Sequence, residues 1–370
     1  MPDHKIPTLD TEFVRAQFPA FAEESLRGQA FFENAGGSYT CGPVIERLTR
    51  FYRQRKVQPY GAFSASLLGG GEMDEARSRL AALLGVDGRD LSFGPSTTQN
   101  TYVLAQAFGA HLSPGDAIVV TNQDHEANSG PWRRLAQSGI EVREWQIDPD
   151  SGHLDIDALS GLLDDRVRLV CFAHCSNVVG EINPVAEICA RVGDAGALSC
   201  VDGVSYAPHG LPDIGALGAD IYLFSAYKTY GPHQGIMVIR QDVAEKLPNQ
   251  GHYFNADTAC KRFTPAGPDH AQIAASAGIA DYIDSLYAHH FADRGGAVAP
   301  AARAAAVHDL MRAHETTLLQ PVLDYLNQKN SVRLIGPTTA GLRAPTVSVA
   351  LAGSGASAAA ALAPLGVMAG

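Results

Sequence analysis

Short apolar runs alternate with helical hydrophobic patterns through the middle of the chain. The helical patterns cover residues 97–112, 130–139 and 183–196, with Asn183 expected as the N-cap of the last helix and Pro184 at its first position. Alternation of strands with helices is typical of a mostly parallel sheet with helices on both faces, so the predicted fold class is α/β. The apolar runs that predict strands are DLSFG (90–94), DAIVVTN (116–122), EVREWQI (141–147), VRLVCFAH (167–174), ALSCVDG (197–203), ADIYLFS (219–225) and GIMVIR (235–240).

The pattern changes after about residue 270, where long helices dominate and predict a smaller α+β domain. We expect this domain to pack against an N-terminal helix at residues 11–21. Because a single core stops growing at roughly 250–300 residues, two domains are predicted: a large domain at 29–290, and a small domain at 1–28 and 291–370. The late elements are helices at 272–290, 303–327 and 356–366 and a strand at 344–351.

Composition narrows the possible partners and compartments. The net charge of −11 and the pI of about 5.6 argue against binding to nucleic acid or to an anionic membrane, both of which need a basic surface. No apolar run approaches the roughly 18 residues of a membrane span, and the opening MPDHKIPTLD lacks a signal-peptide pattern. The six cysteines are scattered, without a CxxC pair or zinc-ligand spacing. We therefore expect a cytoplasmic protein without a structural metal site.

Four polar features follow predicted strands, at the edge of the sheet where α/β proteins bind ligands. The helix that starts at Thr97 and Thr98 offers free amides and hydroxyls to a phosphate. Asp202 ends an apolar strand, where a buried carboxylate is costly unless it is paired. His125 follows another strand and could stack on a flat ring or move protons. Lys228 could form a Schiff base if a pocket lowers its pKa.

Each of these features alone has an ordinary structural explanation: a helix cap, an Asp–Gly turn, a loop histidine and a surface lysine. Together they match one ligand that has a phosphate, a flat ring, a basic ring nitrogen and a carbonyl group. Pyridoxal 5'-phosphate (PLP) has all four, and its sites are expected to contain a Schiff-base lysine and a partner for the ring nitrogen. The alternative, a nucleotide-binding α/β domain, lacks a GxGxxG or GxxxxGK[ST] motif in this chain.

The chain resembles the cysteine desulfurase-like branch of the class V aminotransferases over nearly its whole length. The order and spacing of the shared blocks make this resemblance specific. It implies a PLP-dependent enzyme acting on an amino acid, with a large cofactor-binding domain, a small domain and active sites at a homodimer interface. The blocks are FFENAGGSY (31–39), DHEANSGPW (124–132), SNVVGEINPV (176–185), VDGVSYAPH (201–209) and FSAYKTYGPHQG (224–235).

The resemblance also implies a role for each matching residue. Lys228 is the Schiff-base lysine and moves a proton at the substrate Cα, Asp202 pairs with the pyridinium nitrogen, and His125 stacks on the ring. Phosphate contacts are implied for Thr97, Thr98 and Ser225. The remaining implied contacts are Asn177 near the cofactor hydroxyl and the substrate carboxylate, Ala35, Gly36 and the loop 59–66 on the substrate side, and the segment 262–270 in the partner subunit's phosphate site.

Three positions depart from the desulfurase pattern. Ser205 replaces a glutamine and is too short to copy its reach, so control of the cofactor's phenolic oxygen must differ. Tyr227 replaces a histidine and can still donate to the phosphate. His270 replaces a threonine in the segment expected to reach the partner.

The end of the chain departs further. Desulfurases carry a nucleophilic cysteine and a carboxylate-binding arginine in the small domain, but this chain has no cysteine after Cys260 and ends at Gly370, before the expected arginine. The given sequence is therefore expected to be truncated, or these two functions are absent or replaced. Arg343 is a substitute candidate, with a purely structural role as the alternative. Cys175 is a candidate nucleophile, with a small buried residue as the alternative.

These observations support three hypotheses about function. The first is a PLP-dependent enzyme that uses Lys228 for C–S lyase, β-elimination or sulfur-transfer chemistry, with elimination favoured over persulfide formation. The second is an aminotransferase or epimerase of a small amino acid. The third, from another class, is a catalytically inactive PLP-fold protein that serves as a binding partner or scaffold; the presence of both Lys228 and Asp202 argues against it.

Overall fold

A computed structural model describes residues 6–293 and 297–370, so residues 1–5 and 294–296 of the predicted small domain lie outside the described part. The predicted strands are present, with ends that match the prediction or differ from it by up to four residues. Two very short strands and one further strand are present in addition. In chain order the strands are β1 (Ala30–Phe31), β2 (Leu91–Gly94), β3 (Ala117–Thr121), β4 (Glu141–Trp145), β5 (Val167–Ala173), β6 (Leu198–Asp202), β7 (Ile221–Ser225), β8 (Gly235–Ile239), β9 (Val332–Ile335), β10 (Ser348–Leu351) and β11 (Val367–Met368).

A seven-stranded sheet forms the centre of the molecule, in the order β2-β8-β7-β6-β5-β3-β4. Strands β7, β6, β5, β3 and β4 pair in parallel, whereas β8 runs antiparallel to both of its neighbours. The predicted α/β class with a mostly parallel sheet is therefore confirmed. The parallel strands end together at one edge, and this edge carries the polar residues discussed below.

The strands are continuous apolar runs because helices cover both faces of the sheet. Strand β5 illustrates this arrangement, since alternate side chains point to opposite faces. Val170 and Phe172 belong to one core cluster, while Leu169 and Cys171 belong to the cluster on the other face. All four side chains are fully buried.

The start of one predicted helix, the continuity of a second and the N-cap of a third differ from the structure. The helix predicted at 130–139 begins earlier, because the His125 ring caps it, and the 272–290 helix is divided at Ser276. The Asn183 cap is wrong: its side-chain amide donates to Gln123 and to the Ala173 carbonyl instead. The helices are α1 (Thr11–Ala16), α2 (Gly42–Gln54), α3 (Ser64–Leu83), α4 (Thr97–His111), α5 (Glu126–Arg133), α6 (Ile156–Ser160), α7 (Val185–Asp194), α8 (Ile214–Leu217), α9 (Gln241–Lys246), α10 (His270–Ala275), α11 (Ala277–His290), α12 (Pro300–Asn327) and α13 (Gly355–Leu362).

The chain after α11 forms a smaller α+β region. Strands β9 and β10 pair antiparallel, and Leu319 and Leu323 of α12 form a small core with Ala340 beside them. The last strand, β11, pairs in parallel with β1 near the start of the chain. The position of the boundary between the two predicted domains stays a prediction.

The N-terminal helix α1 is shorter than predicted and lies against the end of α11. The Phe13 ring stacks on His289 with ring centres 3.8 Å apart, and the Asp10 amide donates to His290. Within the described residues, the helices are too short or too polar to cross a bilayer.

Candidate active site

A cavity opens at the carboxyl edge of the sheet, where β5, β6 and β7 end. It encloses roughly 500 Å³ of space, part of which is open solvent. Most of the predicted site residues line this single cavity. They are Thr97, Thr98, His125, Asn177, Asp202, Ser205, Ser225, Tyr227 and Lys228.

One end of the cavity is built for an anion. Helix α4 begins at Thr97, and its N-cap Ser96 accepts a hydrogen bond from the Gln99 amide at 3.2 Å. The Thr97 hydroxyl oxygen lies 2.8 Å from that of Ser225, which ends β7, and both residues are buried. Unpaired amides and the helix dipole attract phosphate to such an end. Gly235 permits this arrangement, because a Cβ there would lie 2.4 Å from the Ser96 carbonyl carbon.

Asp202 supplies a buried carboxylate at the middle of the cavity. It ends β6 and is 5% exposed, and its Oδ1 accepts from the Val204 amide at 2.8 Å. Burial raises the pKa of this carboxyl, while the Val204 amide and the positive charges of His125 and Lys228 lower it. The described residues donate no hydrogen bond to Oδ2. That oxygen can accept from a protonated ring nitrogen, so the site fits the pyridinium of PLP.

His125 is held in one orientation by its position in the chain. It is the N-cap of α5, and its Nδ1 accepts a hydrogen bond from the Ala127 amide at 3.0 Å. A neutral ring therefore carries its proton on Nε2. Because this contact fixes the ring at the cavity wall, the geometry suits stacking on a flat ligand.

Lys228 lies in a short turn that follows β7. Its Nζ donates to the Ala35 carbonyl at 2.5 Å, so the substrate-side turn predicted at Ala35 and Gly36 is near the amine even though neither residue lines the cavity. Burial lowers the pKa of Lys228, and the charges of Asp202 and Glu33 oppose this effect. A lowered pKa increases the fraction of neutral, nucleophilic amine.

Tyr227 and His270 differ in their position relative to the cavity. Tyr227 lines the cavity and stacks on His233, with ring centres 4.6 Å apart. His270 is the first residue of α10 and does not line the cavity of its own chain. Burial lowers its pKa, and the nearby charges of Lys56 and Lys261 act in the same direction. Its predicted contact is with the partner subunit's site.

A half-buried acid, Asp124, was not predicted from the sequence. Its carboxylate accepts from Thr121 Oγ1 at 2.6 Å and from Asn128 Nδ2 at 3.1 Å. Burial and the negative charge of Asp202 raise its pKa to about 7. The available signal was its position directly before His125, at the end of a strand.

The candidate nucleophile and the candidate carboxylate binder both take structural positions. Cys175 lines the cavity, but its thiol donates to the Gly180 carbonyl at 3.4 Å, and burial raises its pKa to about 12. Arg343 is fully buried, and all of its hydrogen bonds go to backbone carbonyls. These contacts favour the structural alternative for Arg343 over carboxylate binding, and burial favours the thiol form of Cys175 over a reactive thiolate.

Comparison with known proteins gives a consistent result. A family described as aminotransferase class-V matches residues 30–364. The aminotransferase-like protein FGM3 of Gibberella zeae is 33% identical over 356 residues, which cover 94% of this chain and 83% of that protein. A cysteine desulfurase of Serratia proteamaculans is 31% identical over 345 residues, covering 88% of this chain and 80% of that enzyme.

Solved structures share the fold. The apo structure of a cysteine desulfurase from Thermococcus onnurineus NA1 superposes with a TM-score of 0.81 at 24% identity, covering all of this chain and 88% of the other. A C-DES variant with glycine covalently linked to its PLP cofactor gives a TM-score of 0.74 at 19% identity, covering 96% and 90%. At these identities the likeness shows the fold alone.

Proposed function

The chain belongs to the aminotransferase class-V family, and from this premise we propose that it cleaves the C–S bond of a small amino acid such as cysteine, with Lys228 as the Schiff-base lysine. Membership in this family makes the chain a PLP-dependent enzyme, as expected from the sequence. The scaffold hypothesis is not favoured by any observation, and neither is the aminotransferase or epimerase hypothesis.

A single observation carries the proposal: three different elements bring a lysine amine, a buried carboxylate and a helix N-terminus to one cavity. PLP bound in this site would draw electrons from the substrate and so make its Cα proton acidic. Asp202 would hold the ring nitrogen protonated, and the Thr97 and Ser225 hydroxyls would hold the phosphate. Asn177, at the cavity wall, is proposed to contact the cofactor hydroxyl and the substrate carboxylate.

Lys228 is proposed to move the proton. Its amine would take the proton from the substrate Cα, and the sulfur would leave from Cβ with the electron pair of the C–S bond. The lowered pKa of Lys228 suits this role, because it increases the fraction of the amine that is neutral and can accept the proton. His125, whose ring is fixed by the Ala127 amide, would cover one face of the cofactor and exclude water there.

The state of Cys175 favours elimination over persulfide formation. Persulfide formation needs a cysteine thiolate at the cavity, and burial keeps the Cys175 thiol protonated. We therefore propose that cysteine and water give sulfide, ammonia and pyruvate, whereas a desulfurase would give alanine and a protein persulfide.

The test is to incubate the PLP-loaded protein with cysteine and to measure sulfide, pyruvate and alanine. Mass spectrometry of the protein would search for a persulfide. We expect pyruvate and sulfide in equal amounts and no persulfide, also for the Cys175→Ala variant. Alanine together with a persulfide on this chain would contradict elimination.

A homodimer with shared sites is also proposed, together with a cytoplasmic location, which the acidic composition and the scattered reduced cysteines support. Tyr253 and Phe254 are 96% and 84% exposed, and large apolar side chains at the surface mark interaction sites. His270 would reach the partner's phosphate site from the same part of the chain.

Mixing two inactive variants tests the shared sites. A dimer of one Lys228→Ala chain and one His270→Ala chain has one site that keeps both residues. We expect the mixture to recover activity that neither variant has alone, after unfolding and refolding together. Full activity of the His270→Ala variant alone would contradict the assigned role of His270.

A further inference from the structure

Arg343 is a buried cation whose hydrogen-bonding capacity is completely used. Its Nε donates to the Thr346 carbonyl at 3.2 Å, and its Nη1 donates to the carbonyls of Ile335 and Pro337 at 3.1 and 2.8 Å. Its Nη2 donates to Val179 at 3.0 Å and again to Thr346 at 2.5 Å. A guanidinium has five N–H groups, so none is left for a substrate carboxylate.

Burying a charged side chain costs free energy unless hydrogen bonds or an ion pair compensate for the lost water. Arg343 is fully buried and makes no ion pair with the described residues, and burial lowers its pKa. Three of its carbonyl partners lie in the β9–β10 region, but the fourth, Val179, lies in the loop 175–182 at the cavity. The arginine therefore ties these two parts of the chain together.

The loop 175–182 carries Asn177 and is fastened to the β9–β10 region by further bonds. The Ala344 amide donates to the Gly180 carbonyl at 2.9 Å, and the Ser348 hydroxyl donates to the Val178 carbonyl at 2.7 Å. The backbones of Cys175 and Ile182 form an isolated antiparallel β-bridge, which closes the loop. The loop also joins the cofactor-binding strand, because the His174 amide donates to the Asp202 carbonyl at 2.8 Å.

Two glycines make the close approach possible. Gly180 has a φ of +78°, and a Cβ there would lie 2.6 Å from the Thr346 carbonyl oxygen. Gly336 has a φ of +84°, and a Cβ there would lie 2.4 Å from the Val179 oxygen, the same atom that accepts from Arg343. The positive φ and the short distances both require glycine at these positions.

We propose that Arg343 is a positioning residue for Asn177: it clamps the loop 175–182 from the β9–β10 region and so fixes the Asn177 side chain at the cavity wall. This inference rests on the proposed function, in which Asn177 contacts the cofactor and the substrate. It assigns to a small-domain arginine a role through the protein backbone, without contact to the substrate.

The first experiment displaces the Val179 carbonyl and keeps the guanidinium group of Arg343. Gly336→Ala pushes a methyl group toward the Val179 carbonyl, whereas the matched control Gly341→Ala meets nothing within 4 Å. For each PLP-loaded variant we would titrate the visible absorption with pH, measure the Kd of PLP, and separate kcat from KM for cysteine. We expect Gly336→Ala to shift the pH midpoint and to weaken PLP binding about tenfold, which is the effect of one lost hydrogen bond to a charged group.

The second experiment removes the cation. Arg343→Met keeps the apolar stem but leaves four carbonyls without a donor, and the control Arg333→Met removes an exposed arginine on β9 that donates to the Asp150 carbonyl. Hydrogen exchange of the cofactor-free protein would follow the peptide that contains 175–182. We expect faster exchange of this peptide in Arg343→Met, by at least about tenfold, and wild-type exchange in the control.

The outcomes separate the two proposals. If wild-type protein shows no visible band that depends on Lys228, the proposed function fails. If the wild-type band is present, the inference about Arg343 fails when Gly336→Ala matches Gly341→Ala in pH midpoint, Kd and KM. It fails equally when the 175–182 peptide of Arg343→Met exchanges at the rate seen in Arg333→Met. A lower Tm with an unchanged visible titration would show a stabilising role only and would equally overturn it.

Discussion

The two ends of the cavity are built differently. At the phosphate end, Thr97 and Ser225 lie on a helix start and a strand end, are buried, and bond to each other at 2.8 Å. At the substrate end, Ala35 is exposed, and Asn177 and Ser205 are half-buried on loops. Within one chain, the phosphate end is formed by regular elements, to which His270 of a second subunit is proposed to add a contact, whereas the substrate end depends on loops.

This difference separates cofactor binding from substrate choice. In the proposed function, regular elements with buried, paired groups hold the cofactor, which is the same for every substrate. Loops carry the residues that meet the variable part, in agreement with the general position of specificity on loops. Changes at the phosphate and ring end should therefore alter cofactor affinity, and changes at the substrate end should alter KM and the product.

The largest effect is expected at the point where the two ends meet. Lys228→Ala removes both the amine that binds the cofactor covalently and the proposed base, so we expect turnover to decrease by at least about 10³-fold. Circular dichroism should show an unchanged fold. Lys246→Ala, which removes an exposed lysine near Asp242, is the control and should keep full activity. Wild-type rates in Lys228→Ala would refute the proposed mechanism.

The second prediction concerns the pH dependence of stability at the ring end. The pKa of Asp124 is raised from 3.8 to about 7, so between these values the native state holds a proton that the unfolded chain has lost. Its contribution to stability is present at low pH and is lost as the pH rises through 7, by up to roughly 1.4 kcal/mol per pH unit within the window. Asp124→Asn imitates the protonated acid and removes this dependence.

Urea denaturation of the wild type and of Asp124→Asn at several pH values between 5 and 8 measures the difference. We expect the wild type to lose stability relative to the variant as the pH rises toward 7. Parallel stability curves would show that Asp124 does not titrate in this range.

The third prediction tests the partner of the ring nitrogen. Asp202→Ala removes a charge-assisted hydrogen bond worth about 1.5–3 kcal/mol, so the Kd of PLP should increase roughly tenfold to hundredfold. Loss of the Cα proton should also become slower. This can be followed by solvent-deuterium exchange at the Cα of a bound amino acid. An unchanged Kd together with an unchanged exchange rate would remove the role assigned to Asp202.

The smallest effects are expected when one variant at each end of the cavity is compared. Thr97→Val removes one neutral hydroxyl, worth about 1 kcal/mol, and should weaken PLP binding roughly fivefold with little change in KM. Ser205→Ala, at the other end, should leave the Kd of PLP within about twofold, because this side chain is too short to reach the phenolic oxygen of the cofactor. The same response from both variants would show that the ends are not separate.

The fold was predictable because the strands are continuous apolar runs that end in polar residues. Lys228 and Asp202 could be found in the same way, since each directly follows such a run. The prediction of the Asn183 cap failed because tertiary contacts with Gln123 and Ala173 replaced the local one. Helix α1 is shorter than predicted for a local reason, because Pro19 holds the preceding Phe18 in an extended conformation.

Other features depend on long-range contacts that have no local signal. The role of Arg343 depends on Val179, which lies more than a hundred and fifty residues earlier in the chain. The raised pKa of Asp124 depends on its burial beside Asp202. The proposed contribution of His270 depends on a second subunit, and the order of residues in one chain cannot fix its geometry.

The most direct test of the central claim is the visible absorption spectrum of the PLP-loaded protein before and after borohydride reduction. We predict a yellow band that reduction bleaches, with the mass of the cofactor then fixed on the peptide that contains Lys228. A protein that stays colourless with added PLP, or a cofactor fixed on a different lysine, would contradict the account.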